Sequence, residues 1–399
     1  MNTDHIKTVD VLVVGGGPAG IVAGVALDQA GIDVLVLEAG AAPASDLRAS
    51  TLHPPTLDYL ATLGLAQELY PIGLKSPLYR YFNRQTGSCI EFDLGEIADV
   101  SAHPYRLQCE QWKLTAAGVA RLAGRMRFSH KVVSATQDDD GVLVEATGPD
   151  GPSTYRARYV IACDGANSVI RKALGVEFDG FTYEEKFLCL STLAPIEQRL
   201  PEVCNVNYMS DPTEWLVLLR APSAWRVLVP APLSVPDAEL LAEPKKNEVF
   251  KRLLRTDEPV ETLHRTIYRV HQRVAKNYRV GRIILTGDAA HLNNPLGGFG
   301  MNSAIHDVRN LVDKLTRIMQ GGQSEALLDL YERQRRTVMS EFIQTQSMRN
   351  KRAMEMSAEE TTLNHEAELA ATAADPVRRR DYLLRQSMYL SVAREREIV

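Results

Sequence analysis

The sequence predicts an α/β fold in which a parallel-sheet domain is interrupted by a β-rich insertion and followed by a C-terminal helical segment. Three observations carry this reading. The N-terminal stretch runs strand, glycine turn, helix, strand. Apolar strands ending in Asp164-Gly165 and in Gly287-Asp288 recur far apart in the chain. Blocks with the alternation of strands lie between these segments, and past residue 320 the apolar spacing becomes helical.

Bulk properties set the class. A chain of 399 residues with 45% hydrophobic content can bury a sizeable core, and length favours more than one domain. The net charge of -5 argues against a nucleic-acid binder, which usually carries a basic footprint. Arg378, Arg379 and Arg380 are interleaved with acids nearby and read as a solvated helix face. Cys89, Cys109, Cys163, Cys189 and Cys204 are odd in number and form no C-x-x-C pair, the usage of reduced thiols in a cytoplasmic protein. The uncharged run from Val11 to Leu27 is glycine-rich and bounded by Asp10 and Asp28, so it fits neither a secretory leader nor a membrane span.

The first element is "VDVLVVGGGPAGIVAGVALDQAGIDVLVLEAG", a βαβ unit of the Rossmann-like kind. Gly15 allows the tight turn, Gly17 lets the backbone approach a pyrophosphate, and Gly20 lets helix and strand pack closely. Glu38, ending the second strand, is placed to bind a ribose diol and disfavours a 2′-phosphate. This unit predicts dinucleotide binding without separating NAD from FAD.

Two later segments separate them. "ARYVIACDGANSVIRKALG" is a buried strand, a turn at Asp164-Gly165, and a short helix carrying Ser168 and Arg171. "GRIILTGDAAHLNNPLGGFGMNSAIHD" is a strand running into Asp288, then a loop with Pro295, Gly297, Gly298 and Gly300 that opens a helix. Such a loop brings backbone N–H groups and a helix N-terminus up to negative charge. In this order and combination, the three motifs resemble the FAD-dependent aromatic hydroxylases, the single-component flavoprotein monooxygenases of the para-hydroxybenzoate hydroxylase type. The resemblance covers roughly residues 8 to 345.

That resemblance implies a discontinuous FAD-binding domain of residues 1–73, 105–185 and 276–345, with the FAD held non-covalently. It implies that the adenosine lies over the first βαβ unit, that Asp164 joins the cofactor site, and that Asp288 holds a ribityl hydroxyl. Pro295 and Gly298 then belong to the loop along the flavin ring, where catalysis needs no side-chain acid or base. Gly300, Met301 and Asn302 open the helix whose backbone N–H groups, by the same resemblance, approach the flavin pyrimidine and favour its reduced anion. In "RASTLHPPTLDYLATLGL", the matching arginine is Arg48, implied to reach the pyrophosphate. In "YRLQCEQWKLTAAG", a glutamine is implied to contact the FAD, and the spacing before the helix favours Gln111 over Gln108. His291 is read as a structural histidine bonded to its loop.

The intervening blocks, residues 74–104 and 186–275, read as one discontinuous substrate domain that roofs the flavin. Tyr81, Tyr208, Trp215 and Trp225 are its aromatic candidates for an apolar pocket. Arg220 and Arg226 flank a hairpin turn at "APSA" and could anchor a substrate anion, although a hairpin tip is usually in solvent. Residues 346–399 form a C-terminal helical segment, expected to pack on the FAD domain or to join a homodimer interface.

The resemblance implies hydroxylation of an aromatic or heteroaromatic small molecule with NADH or NADPH and O2 through a flavin C4a-hydroperoxide. No nucleic-acid or membrane partner is expected. Rival readings are an epoxidase, a halogenase or a reductase on the same scaffold, or a non-catalytic nucleotide-binding protein. The W-x-W-x-I-P element of halogenases is absent from the sequence, and the Asp288 loop keeps its proline and glycines. No second G-x-G-x-x-G marks a separate nicotinamide domain, and no Ser-His-Asp or metal-ligand spacing stands out.

Overall fold

Strands buried on both faces are continuous apolar runs, and "VLVL" at Val34–Leu37 is buried at every position. The structure is a computed structural model that describes residues 6–45, 47, 49–211, 214–355 and 359–399; Arg48 lies outside them. Its first sheet sets Lys7–Val14 between Val34–Leu37 and Gly151–Ala162, with Ile283–Leu285 beyond, all parallel. An antiparallel extension, Lys131–Asp138 with Gly141–Gly148, continues from Gly151–Ala162. The register aligns the strand ends, because Val14 pairs with both Leu37 and Ala162, and Ala162 pairs with Leu285. The glycine turn, Glu38, Asp164 and Asp288 therefore leave the sheet along one edge.

Helix Pro18–Gln29 covers this sheet, with proline in its first turn and its residues Gly20 to Leu27 all buried. Its crossing with helix Gln111–Arg121 is close: a Cβ on Gly118 would stand 2.1 Å from Ile21. Helix Phe299–Met319 packs beside it, its apolar stripe running from Met301 through Ile305 and Val308 to Leu315.

The second large sheet is mostly antiparallel. Phe178–Thr192 pairs with Ala224–Pro232 on one side and His264–Ala275 on the other; Leu216–Ala221, Val206–Ser210, Leu78–Asn83 and Cys89–Asp93 complete it. Side-chain alternation divides its core in two. Tyr79, Phe187, Cys189, Tyr208 and Leu228 fill one face together with Leu296 of the glycine loop. Leu188, Leu190, Trp225, Val227 and Val229 fill the other, under helix Glu243–Leu254. A small sheet of Thr51–Leu52, Arg106–Gln108 and Leu74–Ser76 lies between the large ones.

The C-terminal segment reaches beyond its expected placement on the FAD domain. It packs on the first face of the second sheet, through Met354, Leu369 and Leu383, as well as on the parallel-sheet domain through Glu395. Arg379 and Arg380 do not form a merely solvated face: they pair with Glu96 and Asp99 of the inserted block. A turn of π-helix, Met339–Gln344, aims Gln344 at the carbonyls of Leu292 and Arg273. Among the described residues, no helix is long and apolar enough to cross a membrane.

Candidate flavin site and substrate face

The glycine turn is built by close approach. Gly15 has φ +107, and a Cβ there would lie 2.3 Å from the Cys163 carbonyl oxygen; one on Gly20 would lie 1.8 Å from the Gly15 oxygen. Gly17 faces open space, as a turn approached by a ligand requires. Above it, Glu38 is held by two amides, accepting from Gly16 at 2.6 Å and from Gly40 at 2.7 Å. At the Asp-Gly segment, Ser168 caps the short helix, accepting from the Arg171 amide at 2.9 Å. Arg171 then ties this segment to the Gly-Asp segment, donating to the carbonyls of Ala166 and Ala289. Asp164 accepts from Ile170 through one oxygen, while its Oδ1 is buried with no hydrogen-bond partner. Asp288 sits exposed on the same edge.

The glycine loop beyond Asp288 is fixed by Gly298 and Asn302 together with two residues the sequence motifs do not mark, Thr51 and His53. Gly298, at φ +70, caps helix Phe299–Met319, leaving the first-turn amides through Met301 without intrahelical acceptors. Asn302 contributes its side chain as a clamp: it accepts from the His53 amide and donates to the carbonyls of Thr51 and Gly298. His53 reaches the carbonyl oxygen of Gly297 at 2.7 Å and stacks on Phe299. Burial, and next the Arg106 guanidinium, push its pKa down to about 3, so the ring is neutral. Pro295 is exposed, and Gly300 has only Asn293 Oδ1 near the position of a Cβ.

Beneath the loop lies a buried charge cluster centred on Asp307. Its Oδ2 accepts from His291 at 2.7 Å and from the Gly287 amide at 3.0 Å, and its Oδ1 accepts from Arg335. His291 is thus structural, with its partner on the following helix instead of its own loop. Burial works to raise the Asp307 pKa, but His291 and Arg335 outweigh it and hold the carboxyl at about 2. Arg335 also pairs with Glu395, which locks the C-terminal helix onto this base. The sequence carries no local signal for Asp307, because its partner Arg335 and that residue's partner Glu395 lie far along the chain.

Of the two glutamines, Gln108 is fully buried beside Thr51, which donates to its Oε1 at 3.0 Å, and its Nε2 is unpartnered. Thr51 would in turn stand 3.2 Å from a Cβ on Gly298. Gln111 is half-buried at the first position of its helix.

The aromatic candidates divide between the two faces of the second sheet. Tyr81 and Tyr208 stack at 4.8 Å on the face that meets the glycine loop, and Trp215 packs against Phe187 there. Tyr81 and Tyr208 border a cavity of about 30 Å³ that Met354 and Leu369 close. Trp225 is on the opposite face, bonded to Glu197, and Arg220 lies across from it with its guanidinium 5.6 Å over the indole. Strand alternation is the reason, and it corrects the grouping of Trp225 and Arg220 with the pocket. The hairpin tip is not in solvent either: Ser223 donates to Glu110, buried at the start of helix Gln111–Arg121. Arg226, one residue past Trp225, faces inward and bonds to Tyr268 at 3.1 Å.

The FAD binding domain family matches residues 8–346. This chain belongs to the FAD-dependent aromatic hydroxylases. It is 32% identical over 389 residues to a para-nitrophenol 4-monooxygenase of Pseudomonas sp. (strain WBC-3), covering 95% of this chain and 96% of the relative. It is 30% identical to a 6-hydroxy-3-succinoylpyridine 3-monooxygenase of Pseudomonas putida (strain DSM 28022 / S16), covering 86% and 88% of the two chains. The crystal structure of p-nitrophenol 4-monooxygenase from Pseudomonas putida DLL-E4 superposes with a TM-score of 0.90 at 31% identity, covering 95% of this chain and 98% of the other. The hydroxylase is a flavoprotein monooxygenase that uses FAD, with NADH or NADPH as co-substrate, and acts on a small aromatic molecule and O2.

The structure fits that cofactor. Three loops converge on one sheet edge, Gly17 and Gly300 leave room for a ligand, and the Asp164 Oδ1 lacks a partner. Open α/β sheets bind nucleotides outside the carboxyl ends of their strands, where these loops lie.

Proposed function

We propose that this hydroxylase acts on a single-ring phenol or hydroxypyridine. The observation that carries the proposal is the coextensive match, over 95% and 96% of the two chains, to a relative whose name gives para-nitrophenol as its substrate. Residues 1–73, 105–185 and 276–345 would hold the FAD, residues 74–104 and 186–275 the substrate, and residues 346–399 brace both.

In the cofactor site, Gly15, Gly17 and Gly20 would admit the pyrophosphate, aided by Arg48, and Glu38 would accept the ribose hydroxyls. Asp164 would accept from a cofactor hydroxyl through its unpartnered Oδ1, Asp288 would hold the ribityl chain, and Gln108 or Gln111 would contact the cofactor from the small sheet. Bound FAD, reduced by the nicotinamide, supplies the activation of O2 for transfer of one oxygen atom to an electron-rich ring. The chain's own task is to orient that ring and keep water out. Pro295, Gly298 and Gly300 would let the ring system approach closely, and the amides ending at Met301 would favour negative charge beside them. Asn302 holds this loop in place through Thr51 and His53. Tyr81, Tyr208 and Trp215 would line the opposite wall. The five free cysteines support a cytoplasmic setting.

The test is a screen of phenols and hydroxypyridines for stimulated NADH and NADPH oxidation, with products identified by mass. One ring class should accelerate oxidation and yield a product that carries one new oxygen atom, either in place of a ring hydrogen or in place of a substituent released from the attacked carbon. Stimulation by none of them, or oxidation giving peroxide alone, would contradict the assignment.

A further inference from the structure

Arg106 lies on the short strand Arg106–Gln108 and is 1% exposed. Its guanidinium stacks 4.4 Å from the centroid of the Tyr79 ring, with Tyr208 within its electrostatic reach. Tyr81 and His53 also lie within its electrostatic reach. Among the described residues no carboxylate pairs with it, whereas the equally buried Arg335 has both Asp307 and Glu395. The Nε of Arg106 and the hydroxyl of Tyr79 are buried without hydrogen-bond partners.

An arginine cannot shed its proton at neutral pH, so a buried one without a counter-charge is costly. Its location suggests what offsets that cost. The strand of Arg106 pairs with Thr51–Leu52, the next residue, His53, holds the Gly297 carbonyl, and Leu296 shares an apolar cluster with Tyr79 and Tyr208. The guanidinium thus stands between the glycine loop and the tyrosine-lined face of the second sheet. Arg226, the other buried arginine on that face, is engaged by Tyr268, Cys189 and Ser50.

We propose that Arg106 is the anion anchor of the substrate site: it binds an acidic oxygen substituent of the ring, a phenolate or a carboxylate, so the enzyme takes its substrate as an anion. This rests on the hydroxylase reading above. The Tyr79 ring orients the guanidinium, and its unpartnered hydroxyl offers a second donor. A carboxylate would use the guanidinium as a two-pronged fork, whereas a phenolate would accept at a single oxygen.

The test titrates the FAD-loaded enzyme with 4-nitrophenolate and benzoate, and with their neutral counterparts 4-nitroanisole and benzamide. Binding is followed by the change in flavin absorption, at a pH where both acids are ionised. At least one anion should bind about 10- to 100-fold tighter than its counterpart, the span of one charge-assisted hydrogen bond. Preference for 4-nitrophenolate marks a phenolate, and preference for benzoate a carboxylate. Arg106→Met should abolish the preference while flavin content stays unchanged. If that variant loses FAD, Arg106→Lys keeps the charge without the fork and should weaken benzoate more than 4-nitrophenolate. Equal binding of anions and neutral rings, or unchanged anion affinities in the variant that retains FAD, overturns the anchor and leaves the hydroxylase reading standing. Binding of no probe by the wild type overturns the anchor together with the single-ring substrate proposed above.

Discussion

The edge of the parallel sheet and the inner face of the antiparallel sheet lie on either side of the glycine loop, and they are built by opposite means. At the edge, backbone dominates: Gly15, Gly20 and Gly298 sit where a side chain would collide or φ is positive, and strand register brings Glu38, Asp164 and Asp288 to one level. On the face, side chains dominate: Tyr79, Tyr81, Arg106 and Tyr208 meet from three strands widely separated in sequence. A backbone-built site is held by local rules and suits a constant cofactor. A side-chain-built site can change by single substitutions and suits a variable substrate.

The contrast can be broken most sharply at the glycine turn. Gly20→Val places a side chain where even a Cβ lies 1.8 Å from the Gly15 oxygen, and we expect complete loss of flavin after gel filtration. Retention of normal flavin content would show that the turn tolerates side chains and would remove the backbone argument.

Next in size is the buried base that supports both regions. Asp307→Asn removes the charge facing Arg335 and should cost about 3–5 kcal/mol of stability, as broken buried ion pairs do. Denaturant unfolding measures it, and a loss under about 1 kcal/mol would show the pair to be dispensable. Trp225→Ala, on the outer face of the second sheet, should lower stability by a similar amount, about 3–5 kcal/mol, yet leave flavin bound. Trp215→Ala should instead alter substrate affinity, which separates the two faces in one experiment.

Smaller effects sharpen the division. Asp288→Ala should weaken FAD retention by about 1–3 kcal/mol, the range for a hydrogen bond to a charged group, without altering which rings stimulate the enzyme. A change in ring preference would mean that the cofactor edge also selects substrate. His53 tests the junction through pH. Its folded pKa of about 3 lies below the ordinary histidine value of 6.5, so the unfolded chain takes up the proton first. Stability should therefore fall as pH drops from 6.5 towards 3, and His53→Gln should flatten that slope. Parallel slopes would place the acid-sensitive group elsewhere.

Legibility in the sequence obeys the same division. The βαβ unit, Asp164-Gly165 and the Gly-Asp loop could be read because turns and glycines carry their meaning within a few residues. The tyrosines could be named as candidates, but not which of them face inward. Trp225 and Arg226 are neighbours on opposite faces, and only the register of Ala224–Pro232 decides which is which. Arg106 and Asp307 look ordinary in sequence because their importance comes from burial, which depends on elements far along the chain. Spacing to a helix favours Gln111 over Gln108, whereas the structure buries Gln108 against Thr51 through the pairing of two short strands.

Acting together, the two regions would deliver one oxygen atom from O2 to an aromatic ring. The most direct measurement supplies isotopically labelled O2 to the FAD-loaded enzyme with NADH or NADPH and the ring that best stimulates it, then tracks the label in the product and any peroxide released. One labelled oxygen atom per hydroxylated ring, with little peroxide, is the expected result. A confirmed hydroxylated product carrying no label would contradict oxygen transfer and place the source of the hydroxyl in water.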